Sequence, residues 1–521
     1  MELDAQKKVG KSIQKDLAGD FIYCEAQGDF TLPDYLPEIR KIIRIDSTVI
    51  PSGRFIGNGK AELAGSVAYN VIYSDAEGKL CATSLSSDYE LSVPIGADCG
   101  ELSVSVDSIA ENTQCRLSGP RKLSLRTAVK SRVHVYTVAP CAQIVDEELY
   151  DLQTLECPVR TMLTKCAQPS ELSLCETASI DGYTQDSVRA NYSTADIVLR
   201  EARLCPDGVV CRGEAIVKCN ISPVDSGEPF TLSKKIPFEQ TLSVDTSGMK
   251  GCLTYGRCTY LRCSVVPNGE RCELAIELGA ELWSECVGNS EISMMRDAYS
   301  TEYDSHATYK TETFSELVGV SMGNYTLDSS RKLTQEETAI ISVIDTKGSI
   351  EIKSVTEKDK KAVVSGECKI EALTASKKSD GEGVEYGNSE IIFPFKLETD
   401  LRTPDCHIDY EPHASIAMTR ARLDADNLCA DAEIFLTLKA SRKEQYKLLD
   451  SIHLDTEEKR ARPAAIVTVA YVEDGDTLFS LAKRYGVDYG VLAEENGIPE
   501  SLAATPDEIS TLDGIRHLII S

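Results

Sequence analysis

Three stretches of sustained period-two alternation constrain this chain more than any other feature. KLSLRTAVKSRVHVYTV sets Leu123, Leu125, Val129, Val133 and Val135 in one register, with Arg126, Lys130, Arg132 and His134 between them. CELAIELGAELW sets Cys272, Leu274, Ile276, Leu278 and Leu282 against Glu273, Glu277 and Glu281. LCADAEIFLTLK sets Leu428, Ala432, Ile434, Leu436 and Leu438 against Asp431, Glu433 and Lys439. Successive side chains of a strand point to opposite faces, so each stretch predicts a strand with one wet face and one face on a core.

A second pattern lies about 60 residues upstream of each: a glycine enters an alternating strand that ends in a turn and is followed by a short apolar strand. These read GSVAYNVIYSDAEGK, GEAIVKCNISPVDSGE and GECKIEALTASKKSDGEG, starting at Gly65, Gly213 and Gly366, so the intervals are 148 and 153 residues. The next strands along the chain carry Pro94, Pro237 and Pro394. Proline cannot donate to a ladder, which predicts edges or bulges there. Two landmarks that keep their spacing three times predict an internal repeat. Dense strands with Asp/Gly turns predict a mainly β fold of three tandem sandwich-like units over residues 15–150, 151–300 and 301–445. One short helix is expected at DYLPEIRKII, residues 34–43, opened by Pro37 and carrying Ile39, Ile42 and Ile43. The charged run over residues 446–465 reads as a linker to a last domain at 466–521.

Composition bounds the function. With 521 residues the chain has room for three to four domains. A net charge of -28 repels nucleic acid and anionic lipid. MELDAQKKVGKSIQKDLAGD has no apolar core of a secretory leader, and no run of about 18 apolar residues occurs, so neither export nor a membrane span is expected. The 19 cysteines are odd in number and scattered, with no C-x-x-C pair, which predicts mostly reduced, buried thiols.

The stretch YVEDGDTLFSLAKRYGV, residues 471–487, packs a strand end, a turn and an amphipathic helix into a small space. Asp476 or Thr477 is placed to cap the helix, Leu478, Leu481, Ala482 and Tyr485 share one face, and Gly486 supplies the exit. Asp488 is placed to cap a second helix burying Val491 and Leu492, Asn496-Gly497 ends it, and RHLIIS closes a βααβ unit.

Gly475-Asp476-Thr477-Leu478, Leu481-Ala482, Tyr485-Gly486-Val487, Leu492, Asn496-Gly497, Gly514 and Leu518-Ile519-Ile520 together resemble the LysM module. The resemblance implies a two-stranded sheet with two helices on one side, and N-acetylglucosamine of peptidoglycan or chitin as the usual ligand. It places the ligand groove at Gly475, Asp476, Thr477, Leu478, Asn496, Gly497 and Ile498. The segment IPESLAATPDEISTLD is longer than the usual link and lies beside that groove. Residues 466–521 carry ten acidic and three basic side chains, and Phe479 and Tyr489 are the aromatics left for sugar stacking. Both a glycan and a protein partner stay open.

LPDYLPEIRKIIRIDSTVI, the Gly65 strand and PRKLSLRTAVKSRVHV are similar to the SPOCS domain of spore-coat and cortex morphogenesis proteins of clostridia and bacilli. SPOCS units followed by LysM imply a non-enzymatic coat scaffold in the mother-cell cytoplasm, at the forespore surface. The implied partners are the SpoIVA-like coat morphogenetic ATPase of the basement layer and other coat proteins.

Catalytic patterns are thin. Gly319-Val-Ser-Met-Gly323 satisfies G-x-S-x-G, but the residues after Ser321 make no convincing helix, and a loop serine is the simpler reading. Cys406, His407 and His413 lack a fourth ligand at zinc spacing. No phosphate-binding glycine loop occurs, so no cofactor, metal or enzyme activity is expected. Trp283 reads as packing.

Overall fold

The structure is a computed structural model that describes residues 2–4, 7–16, 21–57, 59–95, 102–142, 151–224, 227–269, 271–378, 383–402, 404, 406–460, 467–499, 501, 505–508, 512 and 514–520. After a short β1 (Glu2–Asp4), the first unit contains β2 (Lys7–Asp16), β3 (Phe21–Thr31), β4 (Lys41–Gly57), β5 (Lys60–Ser74), β6 (Leu80–Pro94), β7 (Leu102–Gly119) and β8 (Lys122–Ala142). The second contains β9 (Leu152–Cys166), β10 (Ser170–Ile180), β11 (Val188–Cys205), β12 (Gly208–Pro223), β13 (Phe230–Leu242), β14 (Met249–Asn268) and β15 (Arg271–Ser300). The third contains β16 (Tyr303–Lys332), β17 (Ile340–Lys358), β18 (Lys361–Lys377), β19 (Val384–Arg402), β20 (Asp409–Asp424) and β21 (Asn427–Lys459). The chain closes with β22 (Thr468–Tyr471), α1 (Leu478–Tyr485), α2 (Tyr489–Glu495) and β23 (His517–Ile520). No helix among the described residues is long and apolar enough to cross a membrane.

Each unit repeats one plan. A three-stranded antiparallel meander, β4-β5-β6, β11-β12-β13 or β17-β18-β19, faces a second sheet built on the long last strand. That strand, β8, β15 or β21, pairs with its predecessor, β7, β14 or β20, along one edge. Its other edge takes the opening strands: β3 and β2 on β8, β10 and β9 on β15, and on β21 the single 30-residue β16. The alternating residues that mark these last strands are the ones that fill the space between the sheets. Leu123, Leu125 and Val129 meet Val67, Tyr69 and Val71 in the first unit. Leu274, Ile276 and Leu278 meet Ala215, Val217 and Cys219 in the second. Leu428, Ile434 and Leu436 meet Val364, Cys368 and Ile370 in the third. Burying a Val, Leu or Ile side chain contributes roughly 1.5–3 kcal/mol, so these faces are the main source of stability.

The landmark glycines have a steric cause. A Cβ at Gly65, Gly213 or Gly366 would meet the carbonyl oxygen of Ile50, Val198 or Glu351 at 2.7, 2.2 or 2.1 Å. It would also strike the ring of Tyr89, Phe238 or Phe395, which lies across the glycine from the neighbouring strand. The prolines are less regular. β6, β13 and β19 are edge strands of their meanders. Pro237 and Pro394 precede the ring residue, whereas Pro94 ends β6 opposite Lys60.

Two expectations fail. Residues 34–43 form no helix: turns and irregular backbone run as far as Arg40, and Lys41 begins β4. The guanidinium of Arg121 donates to the carbonyls of Pro33 and Leu36, and the amides of Ile39 and Arg40 donate to Pro120 and Ser74. Those tertiary bonds take the groups a helix would need, and the β-branched Ile42 and Ile43 join the sheet. Residues 446–459, expected as linker, continue β21 and bury Leu448, Leu449, Ile452 and Leu454. β1 pairs there as well, with Ser451–His453. Residues 461–465 lie outside the described residues.

The three units meet around an approximate threefold axis. β4, β11 and β17 each carry a bulge in the same place, and the residue just past it is Arg44, Tyr192 or Asp345. These three equivalent side chains touch: Arg44 Nη2 donates to Asp345 Oδ2 at 2.5 Å and the Tyr192 hydroxyl donates to the same oxygen at 2.9 Å. Two residues on, Lys347 pairs with Asp46 at 3.3 Å, and Arg44 also holds Asp46 at 3.0 Å. Further along, His413 pairs with Asp107 at 3.2 Å and Lys439 with Glu411 at 2.8 Å. Tyr255 of the second unit lies edge-on to His413.

Candidate functional site

The C-terminal module builds itself from local signals. Thr477 is the N-cap of α1: its Oγ1 accepts from the Ser480 amide at 3.1 Å, and Ser480 Oγ accepts from the Thr477 amide at 2.8 Å. Gly486 ends α1 at φ 65, in the left-handed region that glycine adopts without a steric penalty. Asp488 caps α2 by accepting from Gly490 and Val491. β22 pairs with β23, and Ala470, Leu478, Leu481, Ala482, Leu492, Ile498 and Leu518 form the core beneath. Val491, expected beside Leu492 in that core, is exposed.

The structure places each groove residue. Gly475 sits at φ 92 in the loop before α1, with open space where a Cβ would be. Asp476 caps no helix: it is buried, accepts from the Glu473 amide at 3.0 Å and pairs with Arg484 at 2.6 Å, which locks the loop. Leu478 and Ile498 belong to the module's core. The Asn496 side chain is spent on β23. Its Oδ1 accepts from Ile519 N at 2.6 Å, and its Nδ2 donates to Ile519 O at 2.7 Å and to Leu492 O at 2.8 Å, so it acts as a substitute strand at that edge. Gly497 turns the chain at φ 67. The lip is therefore mostly backbone, with the side chains of Asp476, Thr477 and Asn496 engaged in holding it.

Three features were hidden from sequence reasoning. The long segment after α2 returns to the lip: the Pro506 carbonyl accepts from the Phe479 amide in the first turn of α1. Phe479, one of the two aromatics open to sugar stacking on sequence grounds, is buried and packs edge-on to Tyr299 at the end of β15, with ring centroids 5.1 Å apart. The module is also seated on the body. Tyr299 donates to the Val487 carbonyl at 2.7 Å, Lys483 pairs with Asp297 at 2.6 Å, and Arg296 pairs with Asp507 at 2.7 Å. Arg460, just past β21, donates to the Arg484 carbonyl at 3.0 Å, where a cation also suits the C-terminal end of the helix dipole. No sequence signal marks Tyr299 as a contact. The axial triad did leave one, since Arg44, Tyr192 and Asp345 each lie 21 residues before a landmark glycine.

The catalytic patterns dissolve. Ser321 lies within β16 opposite Leu438, so it stands on no strand-to-helix turn and in no loop. Cys406 and His407 are exposed, whereas His413 faces Asp107. Trp283 is buried, stacked on Tyr255 and covered by Arg257.

Comparison with known proteins adds one assignment. The family model described as the LysM domain matches residues 471–502, so the chain carries a LysM domain at that end of its β-rich body. No curated protein and no solved structure matches the chain.

Proposed function

We propose that this chain is a non-enzymatic assembly scaffold whose LysM domain is a protein-docking tip held rigidly on a three-unit β body. The observation that carries the reading is the seat of the domain. Phe479 is committed to Tyr299, and the first turn of α1 is covered by Pro506, so the aromatic and one helix amide are withdrawn from a sugar ring. A rigid tip and a large body present several surfaces at fixed distances, and weak contacts on one chain add through effective concentration. The resemblance of the first unit to SPOCS domains supplies the setting: the mother-cell cytoplasm at the forespore surface, with the SpoIVA-like coat ATPase and other coat proteins as partners. The LysM match itself favours a second reading, in which the lip at Gly475–Leu478 and Asn496–Ile498 binds N-acetylglucosamine of peptidoglycan.

Parallel pull-downs of the full chain on purified peptidoglycan and on the immobilised coat ATPase separate the two. Capture by the ATPase, weakened when Tyr299→Ala loosens the tip, supports the scaffold. Saturable retention on peptidoglycan with no capture by the ATPase overturns it.

A further inference from the structure

Where the three units meet lies a half-open cavity of about 410 Å³, within the range of roughly 300–1,000 Å³ typical of small-molecule sites. Its charged lining falls into two groups. Arg44, Asp46, Asp345 and Lys347 neutralise one another through the pairs described above. Asp196 on β11 and Lys218 on β12 are left, and among the described residues neither has an opposite charge within ion-pair distance. The Lys218 ammonium rests on neutral oxygens of the third unit, donating to the Thr346 carbonyl at 2.8 Å and, over longer distances, to Thr346 Oγ1 at 3.4 Å and Thr419 Oγ1 at 3.5 Å, the two a ligand carboxylate would displace. The Asp196 carboxylate is exposed to the space of the cavity while protein surrounds it, and that desolvation raises its pKa.

Register places these two residues on one face. Thr194 stands opposite Lys218, and Asp196 is two residues along on the same face, so the two residues are diagonal neighbours whose backbones lie about 7–8 Å apart. One carboxylate and one ammonium on the same wall suit a ligand that carries both an ammonium and a carboxylate, each making a charge-assisted hydrogen bond of about 2.7–2.9 Å. We propose that this cavity binds a small zwitterion of the free amino-acid class, with its ammonium on Asp196 and its carboxylate on Lys218. Asn70, which donates to the Ser193 carbonyl at 3.1 Å and accepts from Ser84, lines the same wall and adds neutral polar groups.

Calorimetric titration of the full chain with glycine, β-alanine and 4-aminobutyrate, beside methylamine and acetate, tests this and reads the charge spacing. The expected result is saturable binding of at least one zwitterion in preference to both singly charged probes. Losing a charge-assisted bond weakens such binding by about ten- to a hundredfold, which is the loss expected in Asp196→Asn and Lys218→Met. Among the described residues the Asp196 side chain makes no hydrogen bond, so circular dichroism should show Asp196→Asn folded even if Lys218→Met is not. Absence of saturable binding by all three zwitterions, or unchanged affinity in folded Asp196→Asn, overturns the proposal and leaves the cavity to water.

Discussion

The LysM domain and the three-unit body both bury charge, but over different lengths of chain. In the domain, Asp476 meets Arg484 eight residues away, and the caps of α1 and α2 reach two or three. In the body, Arg44 meets Tyr192 across 148 residues and Asp345 across 301. Local polar contacts form with the helix they serve. The contacts among Arg44, Tyr192 and Asp345 exist only once the three units have packed. A substitution therefore hurts differently in the two places: a lost cap returns a backbone amide to water, whereas a lost axial partner leaves a buried charge unpaired.

The largest effect that separates the two regions should come from Arg44→Met, which leaves Asp46 and Asp345 buried without their shared cation. A loss of about 3–5 kcal/mol is expected in denaturant unfolding, and a loss near that of an exposed pair, about 0–1 kcal/mol, would refute the buried triad. Replacing all three members, Arg44→Met with Tyr192→Phe and Asp345→Leu, should recover most of it, because the Asp345 charge goes with that of Arg44 and Asp46 keeps its pair with Lys347.

Acid probes the same contrast. Burial opposes charge at Asp46, Asp107 and Glu411, but Lys347 with Arg44, His413 and Lys439 outweigh it and hold each carboxyl below its ordinary value. A depressed carboxylate stabilises the fold above its unfolded pKa, about 3.9 for Asp and 4.3 for Glu, and that stabilisation is lost as pH falls through the lower folded value. Amide exchange should therefore show β4, β7 and β20 opening below about pH 4 before α1 does. Simultaneous loss throughout would argue against an axis-centred acid response.

A smaller effect distinguishes the landmark glycines. Gly366→Ala and Gly213→Ala should each cost about 1–3 kcal/mol by overpacking, and Gly65→Ala less, since its carbonyl neighbour is more distant. Equal midpoints for all three variants in urea would break the steric account. At the small end, Thr477→Ala should cost about 1 kcal/mol and raise exchange at Phe479 to Leu481 while leaving the axis untouched.

Much of the architecture was legible because strands and helices write their period into the chain. The alternating runs lie on β8, β15 and β21, and the spaced glycines mark one steric position in three meanders. Where the local pattern misleads, a distant partner decides the matter. Arg121 takes the carbonyls that a helix at 34–43 requires, and β16 and β1 extend β21 through a run whose charge suggests a linker. At the candidate groove, the capping role of Thr477 and the turns at Gly486 and Gly497 come from local chemistry. The burial of Phe479 does not, because it depends on Tyr299, 180 residues earlier.

Near-neighbour interactions in the chain were enough to set the long alternating strands, the apolar face of each, and the βααβ module that follows them. Only the packed structure brings Arg44, Tyr192 and Asp345 to one point, turns Asp196 and Lys218 toward one cavity, and seats the LysM domain rather than tethering it. Those outcomes depend on desolvation and on the angle at which whole sheets meet, and neither is set by any stretch short enough to read as a pattern.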